Sequence, residues 1–295
     1  MSTVSNNLPL GFLNVNKPKG MTSHDVVAYL RRVLHIKQIG HTGTLDPFAT
    51  GVLPIAIGKA TKLIEYLDDD KQYLATIQFG KNTKTYDVEG EVTEVFDKKI
   101  SQNDLISVLK NFEGEIMQLP PIYSAIKVNG KKLYDYARQG LEVEIKPRQV
   151  FISKIELKSF DVEKQSAQIL IACSKGTYIR SIAYDIGKTL GCGGYLTGLV
   201  RTKAGRFLIE NSAELDELQT PQDVQSRLIN PIDVTDYPQY SLNDTEKERV
   251  SHGGFIHNKN FNDKVIVFLV YGGKIYAIGM VDKDKILVKK VFEVL

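Results

Sequence analysis

The chain predicts an α/β protein in two parts, a long mixed unit followed by a small β unit. Three observations carry this. Period-two segments such as Tyr73–Phe79, Arg148–Phe160 and Ala167–Ala172 are interleaved with helical-period segments such as Val26–Leu34, Leu105–Phe112 and Ile179–Leu190. Beyond the boundary signal Asn230-Pro231, strand-like runs dominate. A length of 295 residues exceeds one usual domain, so a large domain plus a small one is the default, divided here as 1–232 and 237–295.

Composition bounds the function. A net charge of +3 permits a nucleic-acid partner without arguing for one. Cys173 and Cys192 fit neither a disulfide framework nor a zinc site, so a reducing cytoplasm is the natural expectation. No apolar run reaches bilayer length, and Met1–Leu10 lacks the pattern of a secretory signal. Neither G-x-x-x-x-G-K-[ST], G-x-G-x-x-G nor zinc spacing occurs, so no cofactor is expected.

The elements follow in order. Gly11–Asn16 reads as a strand and Lys17-Pro18-Lys19-Gly20 as a turn. Lys17 and Lys19 are placed either against phosphate or in a solvated turn, and the local residues favour the turn. Thr22-Ser23-His24-Asp25 opens a helix in capping-box style, with Val26, Val27, Leu30, Val33 and Leu34 on one face. Val52–Ile57 reads as a buried strand, and Gly58–Lys62 leads into a helix through Leu63, Ile64 and Leu67. Tyr73, Ala75, Ile77 and Phe79 share one strand face. Ser101 caps a helix whose buried stripe is Leu105, Ile106, Val108, Leu109 and Phe112, stopped by Gly114. Asn129-Gly130 turns a hairpin, and Leu133–Arg138 is a short helix. A later helix buries Ile179, Ile182, Ala183, Ile186 and Leu190. Arg180 lies near its start, where a cation opposes the helix dipole, so it needs a partner carboxylate. Strands at 265–270, 274–280 and 286–288 close the chain.

Gly40–Pro54 crowds three Gly, two Pro and three Thr around one carboxylate, Asp46, and one imidazole, His41. Pro47 biases Asp46 towards extended backbone, so the loop holds a defined path. Such a carboxylate is a candidate for chemistry, yet an Asp-Pro turn bonded to its own backbone explains the local residues as well, and better on frequency.

The run GHTGTLDPFATGVLPIAIGKATK resembles the signature loop of the TruB family, the bacterial tRNA pseudouridine-55 synthases, over more than twenty consecutive residues. The resemblance implies that Asp46 is catalytic and that His41 touches RNA. Tyr73 matches the Tyr of the family's K-x-Y-x-A pattern, which lies against the target uracil. Thr83–Gly90 is similar to T-D-T-x-D-x-x-G, retaining Asp87 but carrying Lys84 where Asp is usual. Pro120–Arg138 resembles the P-P-x-Y-S-A-x-K…L-Y-x-x-A-R block, and Lys175–Arg180 matches K-G-T-Y-I-R. In the latter the Arg pairs with the catalytic Asp and the Tyr flanks the base, here Arg180 and Tyr178. Gly191–Thr202 resembles G-x-G-A-H-L-x-x-L-R-R-T, with Leu199 at the uracil contact and departures at Tyr195 and Val200. Lys17 and Lys62 join His41, Tyr73, Tyr178, Leu199 and Asp87 as candidate RNA or uracil contacts.

By the same resemblance the fold is a pseudouridine synthase fold with a central mixed, mainly antiparallel sheet flanked by helices, then a small PUA-like RNA-binding β-barrel. The implied reaction isomerises uridine 55 in the tRNA T-loop by base flipping and Asp-dependent cleavage and re-formation of the glycosidic bond. The implied enzyme is a cytoplasmic monomer working without metal, cofactor, guide RNA or obligate protein partner. One carboxylate in a dry pocket suits that chemistry as nucleophile or base, and an adjacent Arg counters the pKa rise that burial causes. Three other readings compete with this one: a non-catalytic RNA-binding protein, a small-molecule hydrolase using Asp46, and a guide-dependent synthase. Intact Asp46, Tyr73 and Arg180 speak against the first. The lack of a second acid or a His cluster speaks against the second, and the extent of the match speaks against the third.

Overall fold

A computed structural model describes residues 10–258 and 260–292; most of the stretch tested for a secretory signal lies outside them. Seven strands form the spine of the large sheet: β1 (Gly11–Lys17), β2 (Thr50–Ile57), β3 (Lys71–Phe79), β4 (Gly114–Gln118), β5 (Arg148–Asp161), β6 (Ser166–Cys173) and β7 (Gly194–Ala204). Their order is β1-β2-β7-β3-β6-β5-β4, with short strands Ile39–His41 on β2 and Phe207–Leu208 on β7. Every pairing is antiparallel except β2 with β7, so the sheet is mixed and mainly antiparallel, as expected.

Local chemistry accounts for the helices. In α1 (Ser23–Leu34) the Thr22 hydroxyl accepts the Asp25 N–H while the Asp25 carboxylate accepts the Thr22 N–H, at 3.1 and 2.8 Å. Its apolar face packs on Leu13, Leu53, Ile55 and Ile57. The helices α2 (Gln102–Leu109) and α3 (Ile179–Leu190) cover the sheet face formed by Tyr73, Ala75, Ile77 and Phe79 of β3 with Ile169 and Ile171 of β6. Three details differ from the sequence expectation. Ile106 is exposed rather than part of the α2 stripe. Gly58–Tyr66 winds as a 3₁₀ helix. The Gly191–Thr202 stretch, whose glycines hide any alternation, supplies β7 at the centre of the sheet.

The parallel β2–β7 contact rests on Gly51. It has φ +101°, and a Cβ there would lie 2.3 Å from the Arg201 carbonyl oxygen. Both conditions require glycine. Gly51→Ala is expected to cost about 3 kcal/mol or more in urea unfolding, combining overpacking with backbone strain. Gly40→Ala, whose Cβ would find side chains no closer than 3.8 Å, is the contrasting control.

A second sheet follows: β8 (Gln239–Ser241), β9 (Ile256–His257), β10 (Ile266–Tyr271), β11 (Lys274–Asp282) and β12 (Lys285–Val291), in the order β8-β10-β11-β12-β9. Two of these strands are absent from the sequence expectation, because at three and two residues they carry no readable period. The five-stranded sheet fits the PUA-like expectation. It does not stand apart from the rest: Phe268, Ile278 and Phe292 share an apolar cluster with Phe12, Val52 and Phe207.

Candidate active site

Asp46 sits on the loop between the Ile39–His41 strand and β2, and the loop is fastened from several sides. Leu45 and Phe48 are buried in the core beneath α3. The Ser23 hydroxyl accepts the Leu45 N–H at 2.8 Å and donates to the Leu45 carbonyl at 3.2 Å. The buried Arg201 guanidinium donates to the carbonyls of Val52 at 2.6 Å and Gly43 at 3.2 Å. Lys17 donates to the carbonyls of Met21 at 2.6 Å, Pro18 at 3.0 Å and Pro47 at 3.3 Å. Lys17 is 0% exposed, so it is no phosphate contact. Three carbonyls of two neighbouring turns take its ammonium inward, and it holds the loop from behind. Burial pushes its pKa down to about 8, with the Asp46 charge opposing.

Arg180 opens α3 and finds the partner its position requires. Its Nε and Nη2 meet the two Asp46 oxygens at 3.0 and 3.3 Å. The second Nη2 hydrogen goes to the Tyr123 carbonyl at 2.9 Å, and Nη1 donates to the Thr85 carbonyl at 3.3 Å and to Asp87 at 3.4 Å. Five acceptors thus match the five N–H groups of a guanidinium. The side chains of Arg180 and Asp87 are 7% and 4% exposed, so their end of the network is desolvated, whereas the Asp46 side chain keeps 33% of its surface exposed. Asp87, expected as an RNA or uracil contact, does not line the cavity described next; its carboxylate meets the Arg180 guanidinium. The Asp46 carboxyl is raised above the usual aspartate range by burial first; Arg180 pulls it down and Asp87 pushes it up, without reversing the balance. Arg180 therefore moderates the rise rather than overcoming it.

Asp46 faces a cavity of about 450 Å³. Tyr73, Tyr178 and Leu199 line it with Asp46 and Arg180, so five of the sequence candidates converge. Tyr73 is buried on β3 opposite Arg201 of β7, and burial raises its phenol above the ordinary value. Tyr123 and Tyr134, from the segment after β4, close another side. Basic side chains of that segment ride on its tyrosines: Lys132 and Arg138 on Tyr134, and Lys131 on Tyr136.

Besides Lys17 and Asp87, two further candidates fall elsewhere. His41 is in the short strand paired with β2 and does not line the cavity; burial lowers its pKa, and its Nδ1 meets no partner among the described residues. Lys62 is exposed on the 3₁₀ helix, likewise outside the cavity lining. Three groups at the site had no signal of their own. Arg201 was visible only as one cation in a matched motif, Gln118 as a polar residue at a strand end, and the Tyr123 contribution is a backbone carbonyl.

The comparisons with known proteins fall in line with this geometry. The family model described as TruB family pseudouridylate synthase (N terminal domain) matches residues 31–179, and that of the tRNA pseudouridylate synthase B C-terminal domain matches residues 180–235. The tRNA pseudouridine synthase B of Carboxydothermus hydrogenoformans is 47% identical over 292 residues, covering 96% of this chain and 98% of the relative. That of Clostridium kluyveri is 42% identical over 282 residues, covering 93% and 96%. Among solved structures, a Cbf5-Nop10-Gar1 complex aligns with TM-score 0.74 at 25% identity, covering 99% of this chain and 87% of that one. An H/ACA RNP bound to a substrate RNA containing 2′-deoxyuridine aligns with TM-score 0.73 at 24% identity, covering 99% and 88%. These two likenesses establish the fold.

Proposed function

Because the chain belongs to the TruB family of pseudouridylate synthases, we propose that it isomerises uridine 55 in the T-loop of tRNA, with Asp46 as the reacting carboxylate. The observation that carries this reading is the Asp46–Arg180 pair facing a cavity large enough for one flipped nucleoside. The reaction breaks the N1–C1′ bond and forms the C5–C1′ bond; C5 loses a proton and N1 gains one, so neither oxidant nor water is consumed. Asp46 acts at the bond being broken, as the only carboxylate among the described residues that line the cavity. Arg180 favours the ionised form of that carboxylate against the effect of burial and aims it. Tyr73 offers its ring to the uracil and a hydroxyl able to move a proton, while Tyr178 and Leu199 hold the other side of the base. His41 and Lys62, outside the cavity, take the surrounding RNA, together with the basic segment around Lys131, Lys132 and Arg138. RNA loops are read through stacking and phosphate contacts of this kind.

Residues 1–232 form the catalytic part and 237–295 an RNA-binding part. The enzyme works as a cytoplasmic monomer without guide RNA. No helix among the described residues is long and apolar enough to cross a membrane.

The test is conversion of uridine to pseudouridine on an unmodified tRNA transcript, with the modified position mapped. Conversion at the T-loop uridine is expected. Binding of the transcript with every uridine unchanged would remove the catalytic reading and leave an RNA-binding protein.

A further inference from the structure

Gln118 ends β4, the edge strand of the large sheet, yet it is only 2% exposed. Its Oε1 accepts the Tyr178 N–H at 2.8 Å, and its Nε2 donates to the Tyr178 carbonyl at 3.0 Å. One backbone donor and one backbone acceptor of the same residue are thus satisfied across a separation of 60 positions. A primary amide presents this pair of groups; a carboxylate lacks the donor and an apolar side chain lacks both.

The residue so held matters. Tyr178 is the residue before α3, extended at φ −99°, ψ 108°, with no side-chain cap of its own. Tyr178 lines the Asp46 cavity, and Arg180 follows two residues later. The adjoining backbone adds two more ties to the same turn. The Leu119 carbonyl accepts the Ser181 hydroxyl at 2.8 Å, and the Tyr123 carbonyl accepts Arg180 at 2.9 Å. The stretch 118–123 therefore clamps the first turn of α3, and Gln118 is its one side-chain contribution.

We propose that Gln118 is a positioning residue for the isomerisation, setting Tyr178 against the uracil and the start of α3 so that Arg180 meets Asp46. The proposal rests on the functional reading above. An apolar residue would fill the same space but take from the Tyr178 N–H its acceptor, so the amide fixes the backbone of that residue as well as filling volume.

The experiment compares wild type, Gln118→Met and Gln118→Glu in single-turnover conversion of the tRNA transcript, with tRNA affinity measured separately. Gln118→Met is expected to slow conversion roughly 10- to 100-fold, the scale of a misplacement near one ångström, with Kd nearly unchanged. Gln118→Glu separates positioning from packing. Its carboxylate opposes the Tyr178 carbonyl, whereas the protonated acid donates to it. Its rate relative to wild type should therefore climb as the pH is lowered, while the Gln118→Met ratio stays flat. Flat ratios for both variants, rates within about twofold of wild type, or a loss confined to Kd would overturn the proposal. If Gln118→Met does not fold, the pH dependence of the Glu ratio decides alone. A wild-type chain that converts no uridine would instead sink the functional reading.

Discussion

Asp46→Asn is expected to slow pseudouridine formation by on the order of 10³-fold or more while leaving tRNA binding close to wild type. The amide keeps the volume and one hydrogen bond to Arg180 but cannot act as nucleophile or base. Two pH consequences distinguish this account from simple damage to the site. The carboxyl is raised in the folded protein, chiefly by burial, so the acid limb of the wild-type rate should lie above the ordinary aspartate value. Stability should move the other way from activity. A carboxyl whose folded pKa exceeds its unfolded one binds protons more readily when folded, so its charge is a cost at neutral pH that fades as the pH falls below both values. Asp46→Asn should therefore melt no lower than wild type at pH 7, and any advantage should shrink in acid. A variant that melts well below wild type at pH 7 would show that the charge supports the fold.

Arg180→Met carries the second large effect, on both activity and stability. It leaves Asp87 desolvated without its cation and removes the donors to the carbonyls of Thr85 and Tyr123. Removing one partner from a buried ion pair typically costs about 3–5 kcal/mol, and that is the loss expected in urea unfolding at pH 7. Conversion should fall by at least about 10²-fold. Asp46 loses its strongest opposing charge, so the acid limb should shift to still higher pH. Arg180→Lys is not expected to rescue, since a single ammonium with three donors cannot serve five acceptors spread over a planar fork. An Arg180→Met protein as stable as wild type would mean the network is not what holds these segments together.

The legible parts of this chain are those whose causes are local. Thr22 and Asp25 cap α1 through bonds three residues apart, and Ser101 with Asp104 caps α2 in the same way. The alternation in β3 and the apolar face of α3 announced which sides would be buried. Arg180, misplaced for its helix dipole, announced that a carboxylate must come to it, whereas Asp46 was singled out by the resemblance of its loop and not by the local chemistry, which suits an ordinary Asp-Pro turn equally well. Tertiary structure alone decided the rest, because the deciding contacts join distant positions through groups that every residue carries. Lys17 turns from surface to interior because backbone carbonyls of the turns beside it converge on its ammonium. Arg201 reaches the Gly43 carbonyl across 158 positions, and Arg180 the Tyr123 carbonyl across 57. Gln118 reads as an ordinary polar residue until Tyr178 is laid beside it. The direction of the Asp46 shift likewise depends on a contest between burial and Arg180, and burial exists only once strands and helices far apart in the chain have closed around the loop. Side-chain type and spacing specify periodicity and caps, whereas a carbonyl at a given depth is specified by the whole fold.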